Sequence, residues 1–187
     1  MTIRLVYALI VAWVLAVAPA CAAEVQVAVA ANFTAPMQKL APLFEQQTGH
    51  KVVASFGSTG KLAAQVQNGA PFEVFLAADD ETPAKLERNG VAVSGSRFTY
   101  AIGRLVLWSR LVGLVDGKGE VLRGDAFDRL AIADPRLAPY GAAAAQTLRA
   151  LGLYERLQAR LITGESITQA HQFVATGNAQ LGFLALS

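Results

Sequence analysis

Cysteine and charge are both scarce in this chain of 187 residues. It contains one cysteine, Cys21, so a framework of disulfides is excluded. Charged residues make up 16% of the chain, and the formal net charge is +2, without a run of lysines or arginines. So weak a charge argues against a nucleic-acid-binding protein. Hydrophobic residues reach 53%, which indicates a folded globular protein and argues against disorder.

Histidine is also rare, which weakens the case for an enzyme. The two histidines, His50 and His171, do not lie at turns that follow predicted strands. A nucleophile triad built on Ser58 would need one of them as its base and Asp134 as the third member. The G-x-S-x-G motif is absent, because Phe56-Gly57-Ser58-Thr59-Gly60 surrounds that serine. A hydrolase using Ser58 therefore stays an unfavoured alternative, and we assign no catalytic residue.

Residues 1–23 have the pattern of a secretory signal peptide. Arg4 precedes an apolar run over 5–18, and the small residues of 20–23 follow. A short positive region, an apolar segment and an A-x-A-like end are typical of such a leader. The run is shorter than the roughly 20 residues that a membrane span needs. We therefore predict export to the periplasm and a mature chain without cysteine.

The rest of the chain alternates strands with helices. The predicted strands are apolar segments bounded by turn residues, and they cover 24–31, 51–56, 73–77, 104–108, 130–133 and 181–186. Successive strand–helix units indicate an α/β fold with largely parallel sheets. We predict a first lobe over residues 24–101 and a second lobe over residues 102–187.

The first helix is predicted from its ends and its apolar stripe. Thr34 has the chemistry of an N-cap, and Gly49 suits the left-handed residue that ends a helix. Between them, Met37, Leu40, Ala41 and Phe44 recur at helical spacing. Such a stripe is typical of a helix that packs one face on a core.

Four turns that follow strands and precede helices suggest a binding site. They are residues 31–34, 58–60, 138–141 and 164–167. In open α/β sheets, ligands bind beyond the carboxyl ends of strands, where the next helices begin. The free N–H groups and the dipole at a helix start favour an anion. None of these turns carries a metal-type cluster of His, Asp and Glu, so we predict an oxyanion site of neutral N–H and O–H donors.

Each turn taken alone has a simpler interpretation. Ser58 and Thr59 could serve only as helix caps, and Asn32 could be a turn residue. Tyr140 could be a buried ring with a satisfied hydroxyl. The anion site is favoured because four similar turns occur together, two in each predicted lobe.

Four blocks of the sequence resemble the periplasmic molybdate-binding proteins of molybdate ABC transporters. The blocks are VAVAANFTAPM, SFGSTGKLAAQVQNGAPFEVFLAAD, IADPRLAPYGAAAAQTL and GESITQAHQFVATGNAQLGFLALS. They occur in the family's order, and the resemblance extends from Glu24 to Ser187. It implies a type II periplasmic-binding-protein fold, in which two α/β lobes close around a hinge on molybdate or tungstate. It also implies a monomer without a cofactor that delivers the anion to an ABC permease and its ATPase.

The resemblance further implies which residues hold the anion. In that family backbone amides and hydroxyls do so, and no protein atom binds the molybdenum directly. Carried over by position, the binding residues are Asn32, Ser58, Thr59, Tyr140 and Ile167.

This chain departs from the family pattern in places. Some members add a tyrosine hydroxyl from the strand where Ala185 stands here, and Tyr140 is expected to supply that hydroxyl instead. The family also continues for several dozen residues beyond Ser187, so we expect a truncated form. The alternative ligand is another tetrahedral oxyanion, sulfate or phosphate. Phosphate favours a carboxylate acceptor for its proton, and Glu165 is the candidate near a turn.

Overall fold

The computed structural model describes residues 22–187. Apart from Ala22 and Ala23, the predicted signal peptide lies outside the described residues. Within the described range, no helix is both long and apolar enough to cross a membrane. Strands and helices alternate along the chain, as the sequence predicts, and the strands form two separate sheets.

The first sheet has three parallel strands in the order β2-β1-β3. Its strands are β1 (Glu24–Ala30), β2 (Lys51–Gly57) and β3 (Val74–Leu76), and its helices are α1 (Thr34–Thr48), α2 (Thr59–Gln67) and α3 (Glu81–Arg88). A 3-10 turn over Ala31–Phe33 joins β1 to α1. Because the strands are parallel, their carboxyl ends lie at one edge of the sheet, where the first two predicted turns begin.

The second sheet has four strands in the order β4-β7-β5-β6. Strand β7 is antiparallel to β4 and parallel to β5, which is also parallel to β6. The strands are β4 (Leu105–Trp108), β5 (Leu130–Ala133), β6 (Leu161–Gly164) and β7 (Leu181–Ala185), and the α-helices are α4 (Pro139–Ala150), α5 (Tyr154–Leu157) and α6 (Ile167–Ala175). Short 3-10 helices occupy Glu120–Arg123 and Gln158–Arg160. The sequence pattern implies a strand before the turn at 164–167 but gives no bounds for it, because β6 is short and directly follows a 3-10 helix.

The apolar stripe predicted on α1 is only partly buried. Met37 packs in the small core cluster with Val27 and Val29, and the partly buried Ala41 packs against that cluster. Leu40 and Phe44 are 49% and 40% exposed, so the prediction is wrong for the later turns of the helix. The helix packs mainly on β2, the edge strand of a three-stranded sheet, and only its first turns reach the cluster beneath β1.

The predicted N-cap of α1 is also wrong. Thr34 is the first helical residue, and its hydroxyl donates to the Ala31 carbonyl at 2.8 Å. The preceding 3-10 turn runs directly into α1, so there is no extended residue whose side chain could cap the helix. The other end agrees with the sequence, because Gly49 has a φ of 73° and donates to the Glu45 carbonyl.

Candidate functional site

The four predicted turns converge on one place between the two sheets. Tyr140 and Ile167 belong to one buried cluster, and Ala31 of the first turn packs against it. The second turn joins them through the Gly60 N–H, which donates to the Leu137 carbonyl at 2.8 Å. Turns from both sheets therefore lie in direct contact.

A cleft lies between the second and fourth turns. It has a volume of about 410 Å³ and is bounded by the end of β2 and the start of α2 on one side. Glu165 and Ser166 bound it on the other side. Of the five predicted binding residues, Ser58 lines this cleft, and the other four are not among its lining residues.

The hydroxyls of Ser58 and Tyr140 are buried without a hydrogen-bond partner among the described residues. The two residues are only 4% and 8% exposed. Leaving a buried polar group without a hydrogen bond destabilises the folded protein by about 1–3 kcal/mol, so two such hydroxyls call for a functional or structural explanation. Both belong to turns predicted to hold an oxyanion, and an anion bound there would accept hydrogen bonds from them.

Neither hydroxyl has the hydrogen bond that its simpler interpretation expects. Ser58 occupies the N-cap position of α2 with an extended backbone, yet its side chain makes no capping bond. Tyr140 is a buried ring whose hydroxyl makes no well-formed hydrogen bond in the described part of the chain, because the neighbouring Ser187 hydroxyl donates to the Asn32 carbonyl instead. Burial raises the pKa of the Tyr140 phenol and outweighs the lowering by the nearby Ser187 hydroxyl, so the phenol stays protonated at neutral pH and available as a donor.

The Tyr140 hydroxyl lies against the segment that connects the two sheets. A side chain at Gly103 would overlap that hydroxyl, so the backbone approaches the ring as closely as only glycine permits. Tyr100, on the same segment, donates to the Ala77 carbonyl at 2.7 Å and packs edge-on against Phe33 at 5.0 Å. Burial, and then the proximity of Tyr140, raise the pKa of the Tyr100 phenol.

Thr59 is completely buried and has a structural bond of its own. Its hydroxyl oxygen accepts the Ala78 N–H at 3.0 Å, which ties the start of α2 to the turn after β3. Its hydroxyl hydrogen can still be donated, because an oxygen that accepts one bond keeps its own O–H. Sequence reasoning missed the role of Ala78, since an alanine main-chain donor has no side-chain signature.

Asn32 is predicted to donate through its main-chain N–H and its side chain, and Ile167 through its main-chain N–H. Asn32 lies half-buried in the 3-10 turn, and its carbonyl accepts the Ser187 hydroxyl at 2.9 Å. Ile167 is the first residue of α6, after an N-cap Ser166 that accepts the Gln169 N–H at 3.3 Å. The first N–H groups of a helix lack intrahelical acceptors, so the Ile167 amide is a candidate donor.

Glu165 does not enter the buried part of the site. It forms an ion pair with Lys61 at 3.0 Å across the cleft, and the two side chains are 70% and 57% exposed. The carboxylate that phosphate recognition would use is therefore held at the surface by a lysine. No group of three or more His, Cys, Asp and Glu residues within 22–187 could hold a metal ion.

The triad imagined for a hydrolase is not assembled. Asp134 is bound by Arg136, whose guanidinium Nη2 donates to Oδ2 at 2.9 Å. His171 stacks on Trp108 with 5.5 Å between ring centroids. Ser58 has no hydrogen-bonded base in the described structure, so its hydroxyl is not activated as a nucleophile.

Asp134→Asn is expected to lower the melting temperature by roughly 2–4 °C at pH 7, and by much less near pH 3. Hydrogen bonds from the Arg136 side chain and N–H lower the pKa of the Asp134 carboxyl. A carboxyl whose pKa is lowered in the folded state stabilises the protein at pH values above its unfolded-state pKa, which is about 3.9. That stabilisation is lost as the pH falls below this value. Thermal scans at both pH values measure this. Asp128→Asn is the control, and an equal loss for Asp134→Asn at both pH values would contradict the argument.

Comparisons with known proteins agree with this architecture. Residues 25–187 match the family model of bacterial extracellular solute-binding proteins. The chain is 66% identical over 166 residues to the molybdate-binding protein ModA of Azotobacter vinelandii, covering 89% of this chain and 66% of that one. It is 54% identical over 169 residues to ModA of Rhodobacter capsulatus, covering 90% of this chain and 67% of that one. It thus spans about two thirds of the length of these curated relatives.

A solved structure gives the same result for the fold. The Azotobacter vinelandii periplasmic molybdate-binding protein superposes with a TM-score of 0.85 at 50% sequence identity, over 87% of this chain and 71% of that chain. The predicted α/β periplasmic-binding-protein fold is therefore confirmed.

Proposed function

The chain belongs to the family of bacterial extracellular solute-binding proteins, and on that basis we propose that it captures molybdate in the periplasm and delivers it to an ABC permease and its ATPase. The observation that carries this proposal is the pair of buried, unpartnered hydroxyls of Ser58 and Tyr140 where the four turns converge. The relatives named molybdate-binding proteins support the choice of anion. Tungstate, with the same charge and shape, is the second ligand we propose.

In this proposal the anion is held by neutral donors. The donor set is Asn32, Ser58, Thr59, Tyr140 and Ile167. A dianion accepts charge-assisted hydrogen bonds from N–H and O–H groups, and these bonds are about twice as strong as neutral ones. The oxyanion is cargo, and the molybdenum atom makes no bond to the protein. No catalytic step is required of these residues, so we propose a binding protein rather than an enzyme.

We further propose that two lobes, residues 24–101 and 102–187, close over the anion. The segment that connects the two sheets passes next to the Tyr140 hydroxyl at Gly103. A rotation of this segment would therefore change the surroundings of a predicted donor. An anion that contacts both lobes binds only the closed form tightly and therefore shifts the population toward it. The protein acts in this scheme as a monomer with the permease as its partner, without a cofactor or nucleic acid.

Sulfate and phosphate are the competing ligands. Sulfate has the same charge and shape but shorter bonds, so the donors would have to close further to reach it. Phosphate carries a proton near neutral pH and needs an acceptor, whereas Glu165 is paired with Lys61 at the cleft surface. The site therefore favours the larger, fully deprotonated anions.

Calorimetric titration with all four anions tests this proposal. We expect molybdate and tungstate to bind about 100-fold more tightly than sulfate, which corresponds to about 2.7 kcal/mol, and phosphate to give no heat. Heat with sulfate and none with molybdate would overturn the assignment. An esterase and phosphatase assay on the same sample tests the hydrolase alternative, for which we expect no turnover.

A further inference from the structure

Several hydrogen bonds cross directly between the two proposed lobes. They include Gly60 N to Leu137 O at 2.8 Å, Lys61 Nζ to Glu165 Oε2 at 3.0 Å, and Thr168 Oγ1 to Ala31 O at 3.3 Å. The structure is therefore a closed arrangement, in which the turns that carry the predicted donors touch each other. These contacts differ in how strictly they fix the distance between the lobes.

The contact of Gly60 with Leu137 joins two main chains. A Cβ atom added at Gly60 would lie 3.0 Å from the Leu137 carbonyl oxygen and 3.3 Å from its Cα atom. Those are backbone atoms, so they cannot rotate away as the end of a side chain can. Any side chain at this position must therefore push the second turn away from the third.

Backbone conformation does not explain the glycine. Gly60 lies in the first turn of α2 and is not among the glycines with positive φ. Replacing glycine by alanine inside a helix shifts the helix–coil equilibrium of that residue toward the helix by about fivefold. Helix propensity alone would therefore favour alanine at this position. The absence of a side chain at Gly60 instead matches the close approach of Leu137.

The acceptor side of this contact is rigid. The Leu137 and Ala138 N–H groups both donate to the Asp134 carbonyl, at 3.0 and 2.9 Å. The Asp134 carboxylate in turn accepts the Arg136 N–H at 2.9 Å. The Leu137 carbonyl therefore sits on a tight turn that cannot easily yield to a new side chain.

We propose that Gly60 is the positioning residue that sets how far the lobes close over the bound anion. Its N–H is donated to Leu137 and not to the ligand, and its missing side chain lets the turn that carries Ser58 approach the turn that leads to Tyr140. This inference rests on the proposed function, since it assigns Gly60 a part in that capture. Even a few tenths of an ångström of extra separation weakens hydrogen bonds made from both sides at once.

The ion pair of Lys61 with Glu165 is not an equivalent closing contact. Both side chains are mostly exposed, and an exposed pair contributes little because water screens it and ordering two long side chains costs entropy. Lys61→Gln is therefore expected to weaken molybdate binding by no more than about fivefold. It serves as the comparison variant from the same turn.

The test measures molybdate affinity and dissociation rate for wild type, Gly60→Ala and Gly60→Leu. We expect affinity to fall about 10-fold and about 100-fold, mostly through faster dissociation. The melting temperature without anion should stay at or above that of the wild type, because the lobes can separate and both alanine and leucine are better helix formers than glycine. Gly117→Ala is the matched control, because its added Cβ would meet nothing within 4 Å. Unchanged affinity in both Gly60 variants would overturn the inference.

A second readout does not depend on the identity of the anion. Spin labels on cysteines placed at the exposed Lys39 and Gln146, in a Cys21→Ser background, report the distance between the lobes. Gly60→Leu is expected to lengthen that distance with and without molybdate, and an unchanged distance in both states would overturn the inference. A longer distance together with no molybdate binding by the wild type would support the role of Gly60 and overturn the proposed function.

Discussion

Tyr140→Phe is expected to weaken molybdate binding about 10- to 100-fold and to leave the empty protein at least as stable as the wild type. The Tyr140 hydroxyl is buried and unpartnered among the described residues, so removing it relieves the empty form of an unpaired polar group. A hydrogen bond to a charged group contributes about 1.5–3 kcal/mol, and the variant loses that contribution when the anion is bound. Calorimetry gives the affinity, and thermal unfolding without anion gives the stability.

Two further variants sharpen this test. Ser58→Ala removes the other unpartnered hydroxyl and is expected to behave in the same way. Tyr154→Phe is the matched control, since the Tyr154 ring packs under Arg149 at 4.3 Å and lines a cleft that includes none of the five predicted donors. Full affinity in Tyr140→Phe would contradict the donor role, and an equal loss in the control would point to a general effect on the second sheet.

The opposite signs of these two effects distinguish a binding role from a structural one. A hydroxyl kept for folding has a partner in the folded chain, and its removal destabilises the protein. A hydroxyl kept for a ligand is unsatisfied until the ligand arrives, so its removal affects the complex alone. Thr59 is an intermediate case, because its oxygen already accepts the Ala78 N–H. Thr59→Val should therefore reduce both stability and affinity.

The positions of the turns are predictable from local patterns. Strand β5 is predicted residue for residue, and each turn proposed as a donor set follows a strand of a parallel pair. Short apolar strands and glycine-rich turns alternate in the sequence itself, and the carboxyl ends of parallel strands must share an edge. The amino-acid pattern around Ser58 is therefore enough to predict that its turn lies at the carboxyl edge of the first sheet, and the pattern around Ile167 predicts the same for the second sheet.

The contacts that fix the site are not predictable in this way. Gly60 and Leu137 are far apart in sequence, and their bond joins two main chains. Local periodicity carries no information about such a pair, and a glycine at the start of a helix looks like a turn residue. The exposure of Leu40 on α1 could not be predicted for the same reason. The apolar stripe around Leu40 indicates that this face tends to be buried, but it does not indicate how much of the sheet lies beneath it.

Gly141 shows how strongly close packing can override local propensity. It lies in the first turn of α4, directly after Tyr140, and is not among the glycines with positive φ. By helix propensity alone, alanine would be better there by about 1 kcal/mol. A Cβ atom at this position would, however, overlap the Ala133 carbonyl oxygen and lie 2.7 Å from the Ala133 carbonyl carbon. Helix α4 thus rests on the end of β5 through a residue that has no side chain.

Gly141→Ala is accordingly expected to destabilise the protein by about 3 kcal/mol, with molybdate affinity falling as well because the helix that carries Tyr140 is pushed off β5. Urea unfolding measures the first effect and calorimetry the second. Gly124→Ala is the matched control, since its added Cβ would lie 3.7 Å from the Val121 oxygen in ordinary contact. A Gly141→Ala variant more stable than the wild type would contradict this prediction. It would mean that helix propensity, and not the close approach of α4 to β5, determines the effect of the substitution.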